Sequence, residues 1–206
     1  MSNPWEKLDL AYYEGHMQFE SVRQAQILNE IMQSQFNDYT VSSICILGIA
    51  GGNGLEHINK NTISKVYGID VNEQYLHACQ NRFTTLDSIL ELRHADLTLS
   101  DAYVPEVEII VANLVIEYIG LNIFTKLLAE NPPKYVSCVI QINCENAFVS
   151  STPFEEHFEE ISSFHNDINE KQLIKTLQLI GFRNNFVKAH SLPNKKNFLR
   201  LDFVRG

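Results

Sequence analysis

The chain reads as a doubly wound α/β protein, a mostly parallel sheet of seven strands with one antiparallel strand, preceded by a helical N-terminal segment. Three observations predict this. From residue 43 onward, apolar and β-branched runs alternate with stretches long enough for helices. The first run opens into a glycine-rich turn, ICILGIAGGNG over residues 44–54, and the last two runs flank a Pro-Asn turn that closes a β-hairpin.

Taken in order, Val22, Ile27, Leu28, Ile31 and Met32 recur at near-helical spacing and predict an N-terminal helix over 19–36. Strands are predicted at 43–47, 65–69, 89–94, 107–112 and 135–143, with right-handed crossovers placing helices on both faces. Asn166 or Asp167 is expected to cap a helix running to Ile180, with Gly181 ending it. Residues 182–190 and 198–205 make the closing hairpin through Pro193 and Asn194. Residues 145–169 carry the least pattern; FEEHFEE reads as an exposed acidic helix inside an insertion that covers the site. No linker interrupts the chain. We therefore expect one domain over 1–206, with 1–40 as a helical lid or cap and 43–205 as the core.

Composition narrows the function classes. With 45% hydrophobic and 10% aromatic residues the chain is an ordinary globular protein. Its 16 basic and 25 acidic residues leave a net charge of −9, which repels phosphate backbones and favours a small-molecule substrate over nucleic acid. No apolar run of about 18 residues is present, so no membrane span is expected. The polar, acidic start does not read as a secretory signal, and Cys45, Cys79, Cys138 and Cys144 form no CxxC pair. A reducing cytoplasm fits.

The chemistry sits at the carboxyl ends of the predicted strands. Ala50, Gly51, Gly52 and Gly54 carry almost no side chain, which lets main chain approach a ligand closely. Asp70 closes the second apolar run, VYGID, where a carboxylate can accept hydrogen bonds from both hydroxyls of a ribose. Asp96, in LRHADLT, and Asn113, in ANLVIEYI, end the next two strands. Together with Gly54 and Asp70 they line the crevice where open α/β sheets bind ligands.

Over residues 43–205 this order of motifs resembles the class I S-adenosylmethionine-dependent methyltransferases. The resemblance implies a Rossmann-like sheet whose last strand is antiparallel and inserted, S-adenosyl-L-methionine as cofactor, and methyl transfer to a small molecule. The family's first motif is an acid, any residue, then G-x-G-x-G; here Gly48 stands at the acid and Ala50 at the first glycine. The missing acid removes a group that helps hold the methionine end. The resemblance makes Gly48, Ile49, Ala50, Gly52 and Gly54 the cofactor turn, Asp70 the ribose ligand, and Asp96 the acceptor for the adenine amino group. Asn113 then lies beside the reacting centre, with Val71, Leu97 and Leu114 as neighbouring cofactor contacts.

No catalytic base is assigned. Candidate base or acceptor-contact residues are Tyr13 and His16, with Tyr12 and Glu14, in the N-terminal segment, and Glu117 and Tyr118 after the fourth strand. The competing readings are a surface segment whose aromatics pack under the first helix, and a first-turn helix acid at Glu117. His57 either faces the cofactor or sits on a helix. His157 and His165 lie eight residues apart among glutamates without a fixed third ligand, so no metal is expected. Asn131-Pro132-Pro133-Lys134 is similar to a methyltransferase motif for nitrogen acceptors but precedes the fifth strand; helix-ending prolines explain it better. Two rivals are a non-catalytic S-adenosylmethionine or S-adenosylhomocysteine binder and an NAD(P)-dependent oxidoreductase, whose G-x-G-x-x-G turn fits poorly. The sequence leaves the acceptor and the oligomeric state open.

Overall fold

A computed structural model describes residues 3–143 and 149–206; Cys144 and the start of the 145–169 segment lie outside the described residues. The elements are α1 (Leu10–Gln18), α2 (Gln24–Asn37), β1 (Ser43–Leu47), β2 (Lys65–Asp70), α3 (Glu73–Arg82), β3 (Leu90–His94), β4 (Ile109–Asn113), α4 (Ile116–Ile119), α5 (Leu121–Glu130), β5 (Tyr135–Ile142), α6 (Glu159–Ser162), α7 (Glu170–Leu179), β6 (Phe182–Ser191) and β7 (Asn197–Arg205). They build a seven-stranded sheet in the order β3-β2-β1-β4-β5-β7-β6. Neighbours from β3 to β5 are parallel, and β7 runs antiparallel to both β5 and β6. This is the expected doubly wound sheet with its inserted antiparallel strand.

Covered faces explain why the central strands read as continuous apolar runs. Ile110 and Ala112 of β4 pack on one face with Phe124 and Leu128 of α5 and Leu173 of α7. Ile109 and Val111 pack on the other with Ile31 and Phe36 of α2 and Cys79 of α3. The order 3-2-1-4 places the chain reversal between β1 and β4, so the glycine turn after β1 and Asn113 at the end of β4 sit side by side.

Several boundaries move. The single N-terminal helix expected over 19–36 is two: α1 ends before Phe19, and α2 starts after Arg23, whose φ of 50° breaks the run. Only His16 and Met17 of α1 are buried, so its sequence carries no apolar stripe. The cap of α7 is Asn169, whose side chain accepts from Gln172 N at 3.0 Å, rather than Asn166 or Asp167. Asn166 instead donates its side-chain amide to Glu117 O at 2.9 Å. FEEHFEE forms a 3₁₀ turn, Glu155–Phe158, and the start of the one-turn α6, and it buries Phe158, with the following Ile161, rather than lying exposed throughout. Asn131 closes α5 and donates to Val104 O at 2.9 Å, away from the strand ends. Among the described residues no helix is long and apolar enough to cross a membrane.

Candidate functional site

The turn after β1 is held in an unusual backbone shape. Gly48, Gly52 and Gly54 have φ of 68°, 89° and 88°, and Ala50 shares the left-handed region at 49°. A Cβ on Gly48 would lie 3.3 Å from Val115 Cγ2, so an acid there would be both crowded and strained. The departure from the family's first motif is thus written into the turn.

Asp70 pins that turn. Its Oδ2 accepts from Ala50 N at 2.8 Å and its Oδ1 from Asn72 N at 2.9 Å. One carboxylate therefore ties the glycine turn to the start of α3, where Asn72 caps the helix. Burial pushes the Asp70 carboxyl above its usual range, against the main-chain donors that favour its charge. At Asp96 burial acts the same way, but hydrogen bonds from Thr98 Oγ1, Thr98 N and Asn3 Nδ2 outweigh it and hold the carboxyl below its usual range.

Two cavities flank the turn. The first, of about 270 Å³, is bounded by Asp70, Val71, Asp96, Leu97 and Leu114, together with Gly48, Ala50 and Asn113. The second, of about 360 Å³, lies past Ile49, Gly51 and Gly52, against Glu14 and Arg82. Tyr13, Gly48, Ala50 and Asn113 border both. Of the residues chosen from sequence for the cofactor, only Gly54 lines neither; a Cβ there would meet Met32 at 2.9 Å, which makes it a packing position between turn and α2.

The N-terminal segment roofs the first cavity. Asn72 Nδ2 donates to Trp5 O at 2.9 Å and to Leu8 O at 3.1 Å, and Arg82 makes a two-pronged ion pair with Glu14. Trp5 stands edge-on to Tyr118 at 4.8 Å and to Tyr13 at 5.9 Å, and Tyr13 stacks on Tyr75 at 5.8 Å. Trp5 and Tyr75 both line this cavity and were missed from sequence. Tyr75, in the first turn of the helix that follows Asp70, was findable from that position; Trp5 carried no signal. Their buried polar atoms, Trp5 Nε1 and Tyr75 Oη, have no hydrogen-bond partner among the described residues.

The other candidates scatter. Tyr118 lines the first cavity, and burial raises the phenols of Tyr13 and Tyr118. His16 lines neither cavity; its Nδ1 lies 2.9 Å from Thr152 Oγ1, and burial with nearby Lys196 lowers its pKa to about 4. Glu117 is buried outside both cavities. Its Oε1 accepts from Gln141 N at 2.8 Å, its Oε2 has no partner among the described residues, and burial raises its pKa to about 7. Tyr12 stacks on His157 with ring centroids 3.7 Å apart, and His57 Nε2 meets Asn29 Oδ1 at 2.8 Å. Among the described residues no group of three or more His, Cys, Asp or Glu could hold a metal ion.

No family model and no curated protein matches the sequence. Solved structures do match in shape. The N-methyltransferase NodS from Bradyrhizobium japonicum WM9, in complex with S-adenosyl-L-homocysteine, superposes with a TM-score of 0.69 at 12% identity, over 98% of each chain. The fold is that of the S-adenosylmethionine-dependent methyltransferases. Geranyl diphosphate methyltransferase in complex with S-adenosylmethionine gives 0.66 at 10% identity over 89% of this chain and 86% of that one. The [4+2]-cyclase SpnF gives 0.63 at 9% identity, over 89% of this chain and 82% of that one. Within the methyltransferase fold the reaction is therefore set by the site.

Proposed function

We propose that the protein binds S-adenosylmethionine across the two adjoining cavities and transfers its methyl group to a small-molecule acceptor. The observation that carries this is the wall of the first cavity, where Asp70 ends β2 and Asp96 lies just past the end of neighbouring β3, while the lining residues Trp5 and Tyr75 keep buried polar atoms unpaired among the described residues. A ligand with ring-nitrogen and hydroxyl groups suits such a set. The residues fit the group: Asp70 for the ribose hydroxyls, Asp96 for the adenine amino group, and Gly48, Ala50 and Asn113 at the junction towards the methionine end.

When bound, the cofactor supplies a methyl on a sulfonium sulfur that departs as a neutral thioether. The chain's own part is placement. The aromatic roof of Trp5, Tyr13 and Tyr118 gives the first cavity an apolar wall for the bound cofactor. Tyr13 and Tyr118, their phenols raised by burial, keep their protons at neutral pH and orient rather than remove protons. Holding two reactants in line is worth on the order of 7 to 11 kcal/mol. The net charge of −9 supports a small acceptor over nucleic acid. The free thiols of Cys45, Cys79 and Cys138 support a reducing, cytoplasmic setting.

Calorimetric titration with S-adenosylhomocysteine, with NAD as comparison, tests this. Stoichiometric micromolar binding of the former alone is expected; NAD binding, or binding of neither by a folded protein, rejects the assignment. Gly48 favours a second reading, a binder without turnover, because the turn has no carboxylate where the resembled family places one, and a side chain there would be crowded and strained. Tight S-adenosylmethionine binding with no methylated product across an acceptor screen would select it.

A further inference from the structure

The carboxamide of Asn113, at the junction of the two cavities, is met head-on by Gln35, which is fully buried on α2. Gln35 Nε2 donates to Asn113 Oδ1 at 2.9 Å, and Asn113 Nδ2 donates back to Gln35 Oε1 at 2.8 Å. Alone, such a pair is equally satisfied with both amides turned over. What removes that freedom lies behind Gln35. Its Nε2 also donates to Ser137 Oγ at 2.8 Å, and Ser137 donates its hydroxyl proton to Asp202 Oδ1. Asp202 is ringed by donors: Arg200 Nε at 3.0 Å joins Ser137 on Oδ1, while Arg200 Nη2 at 2.6 Å and Tyr39 OH at 2.7 Å occupy Oδ2. A carboxylate so held only accepts. Ser137 must then donate to it, so the Ser137 oxygen is left to accept; Gln35 must offer it the NH₂ group; and Gln35 Oε1 is left facing Asn113 Nδ2.

We infer that the buried chain Arg200–Asp202–Ser137–Gln35 fixes the donor–acceptor polarity of Asn113, and that Gln35 is a positioning residue for the ligand at the junction. The inference rests on the cofactor reading above. Asn113 keeps one Nδ2 hydrogen and one Oδ1 lone pair, each in a set place, for that ligand. Without Gln35 the two exchange places. A freely flipping amide halves the competent population, and a side chain no longer held ready must be ordered on binding.

The experiment pairs S-adenosylhomocysteine calorimetry with hydrogen exchange of the Asn113 side-chain amide followed by NMR. Gln35→Leu should weaken binding about five- to tenfold and Ser137→Ala about twofold, while Tyr39→Phe, which removes one donor to Asp202 without altering polarity, should leave affinity unchanged. In an Asn113→Ala background the losses from Gln35→Leu and Ser137→Ala should vanish. Equal losses in that background would overturn the inference, because the relay would then act through stability alone. So would an Asn113 amide that exchanges in the unaltered protein as fast as an exposed one, or a Gln35→Leu protein that binds normally. If the unaltered protein binds no S-adenosylhomocysteine, the cofactor reading fails, and the exchange measurement still decides whether Gln35 locks Asn113.

Discussion

At the carboxyl ends of β1, β2 and β4 the protein leaves buried polar atoms of Trp5, Tyr75 and Glu117 without a partner among the described residues and holds Gly48, Ala50, Gly52 and Leu114 at positive φ. Under the β5–β7 ladder each oxygen of Asp202 instead receives two donors, and Arg200 is shared between Asp202 and Asp38. Both regions bury charge and polarity. The difference teaches where to look for a ligand: Asp202 is completed by the chain itself, whereas the unpaired atoms of Trp5 and Tyr75 belong to residues that line a cavity; Glu117, outside both cavities, and His190 on β6 are unpaired without one.

The largest expected effect lies at Glu117. Burial raises its folded-state pKa to about 7 from an ordinary 4.5, so the folded protein holds this proton more tightly than the unfolded chain does. Its contribution to stability is full below pH 4.5 and is lost as pH rises through 7, by about 3 kcal/mol. Glu117→Gln should remove that slope. Urea melts of both proteins at pH 5 and pH 8 measure it, and parallel slopes would place Glu117 with Asp202 among the completed groups.

Next comes Asp70→Ala. Losing the acceptor for the ribose should weaken S-adenosylhomocysteine binding by about 1.5 to 3 kcal/mol. It should also lower the melting temperature, because Ala50 N and Asn72 N lose their partner. Unchanged affinity in a folded variant would make Asp70 a purely structural pin.

Ala50→Gly sharpens the contrast in the other direction. At a φ of 49° the alanine is strained, and glycine should stabilise the fold by about 0.5 to 1 kcal/mol in denaturant melts. The smallest effect belongs to the half-exposed Glu14–Arg82 pair. Glu14→Gln should change stability by less than about 1 kcal/mol and diminish further in added salt. A larger loss, persisting at high salt, would show that the roof depends on this pair.

The sheet was legible because both of its faces are covered: Ile109 to Ala112 are apolar without alternation, Val136 to Ile140 are apolar but for Ser137, and glycines and acids mark where the strands stop. Asp70 and Asn113 were visible for the same reason, as polar residues ending apolar runs, and Asp96 by its place after the third strand. The N-terminal segment was not. Its hold on the core comes from single long-range contacts, such as Asn72 to Trp5 O, Asn3 to Asp96 and Glu14 to Arg82, and such pairings leave no periodicity in a sequence. The Gln35 relay was hidden likewise, since one glutamine on the apolar face of α2 reads as an irregularity until Asn113 and Ser137 are brought to it.

The strand order carries a consequence for synthesis. Because β7 lies between β5 and β6, the flank of β5 gains no strand partner until residues 197–205 have left the ribosome. Until then Tyr135 to Ile142 present an apolar, hydrogen-bond-hungry edge that a neighbouring nascent chain can pair with. A pause in translation within the hairpin turn therefore lengthens the period of greatest aggregation hazard, and the arrival of Asn197–Arg205 ends it by zipping the ladder shut along eight residue pairs.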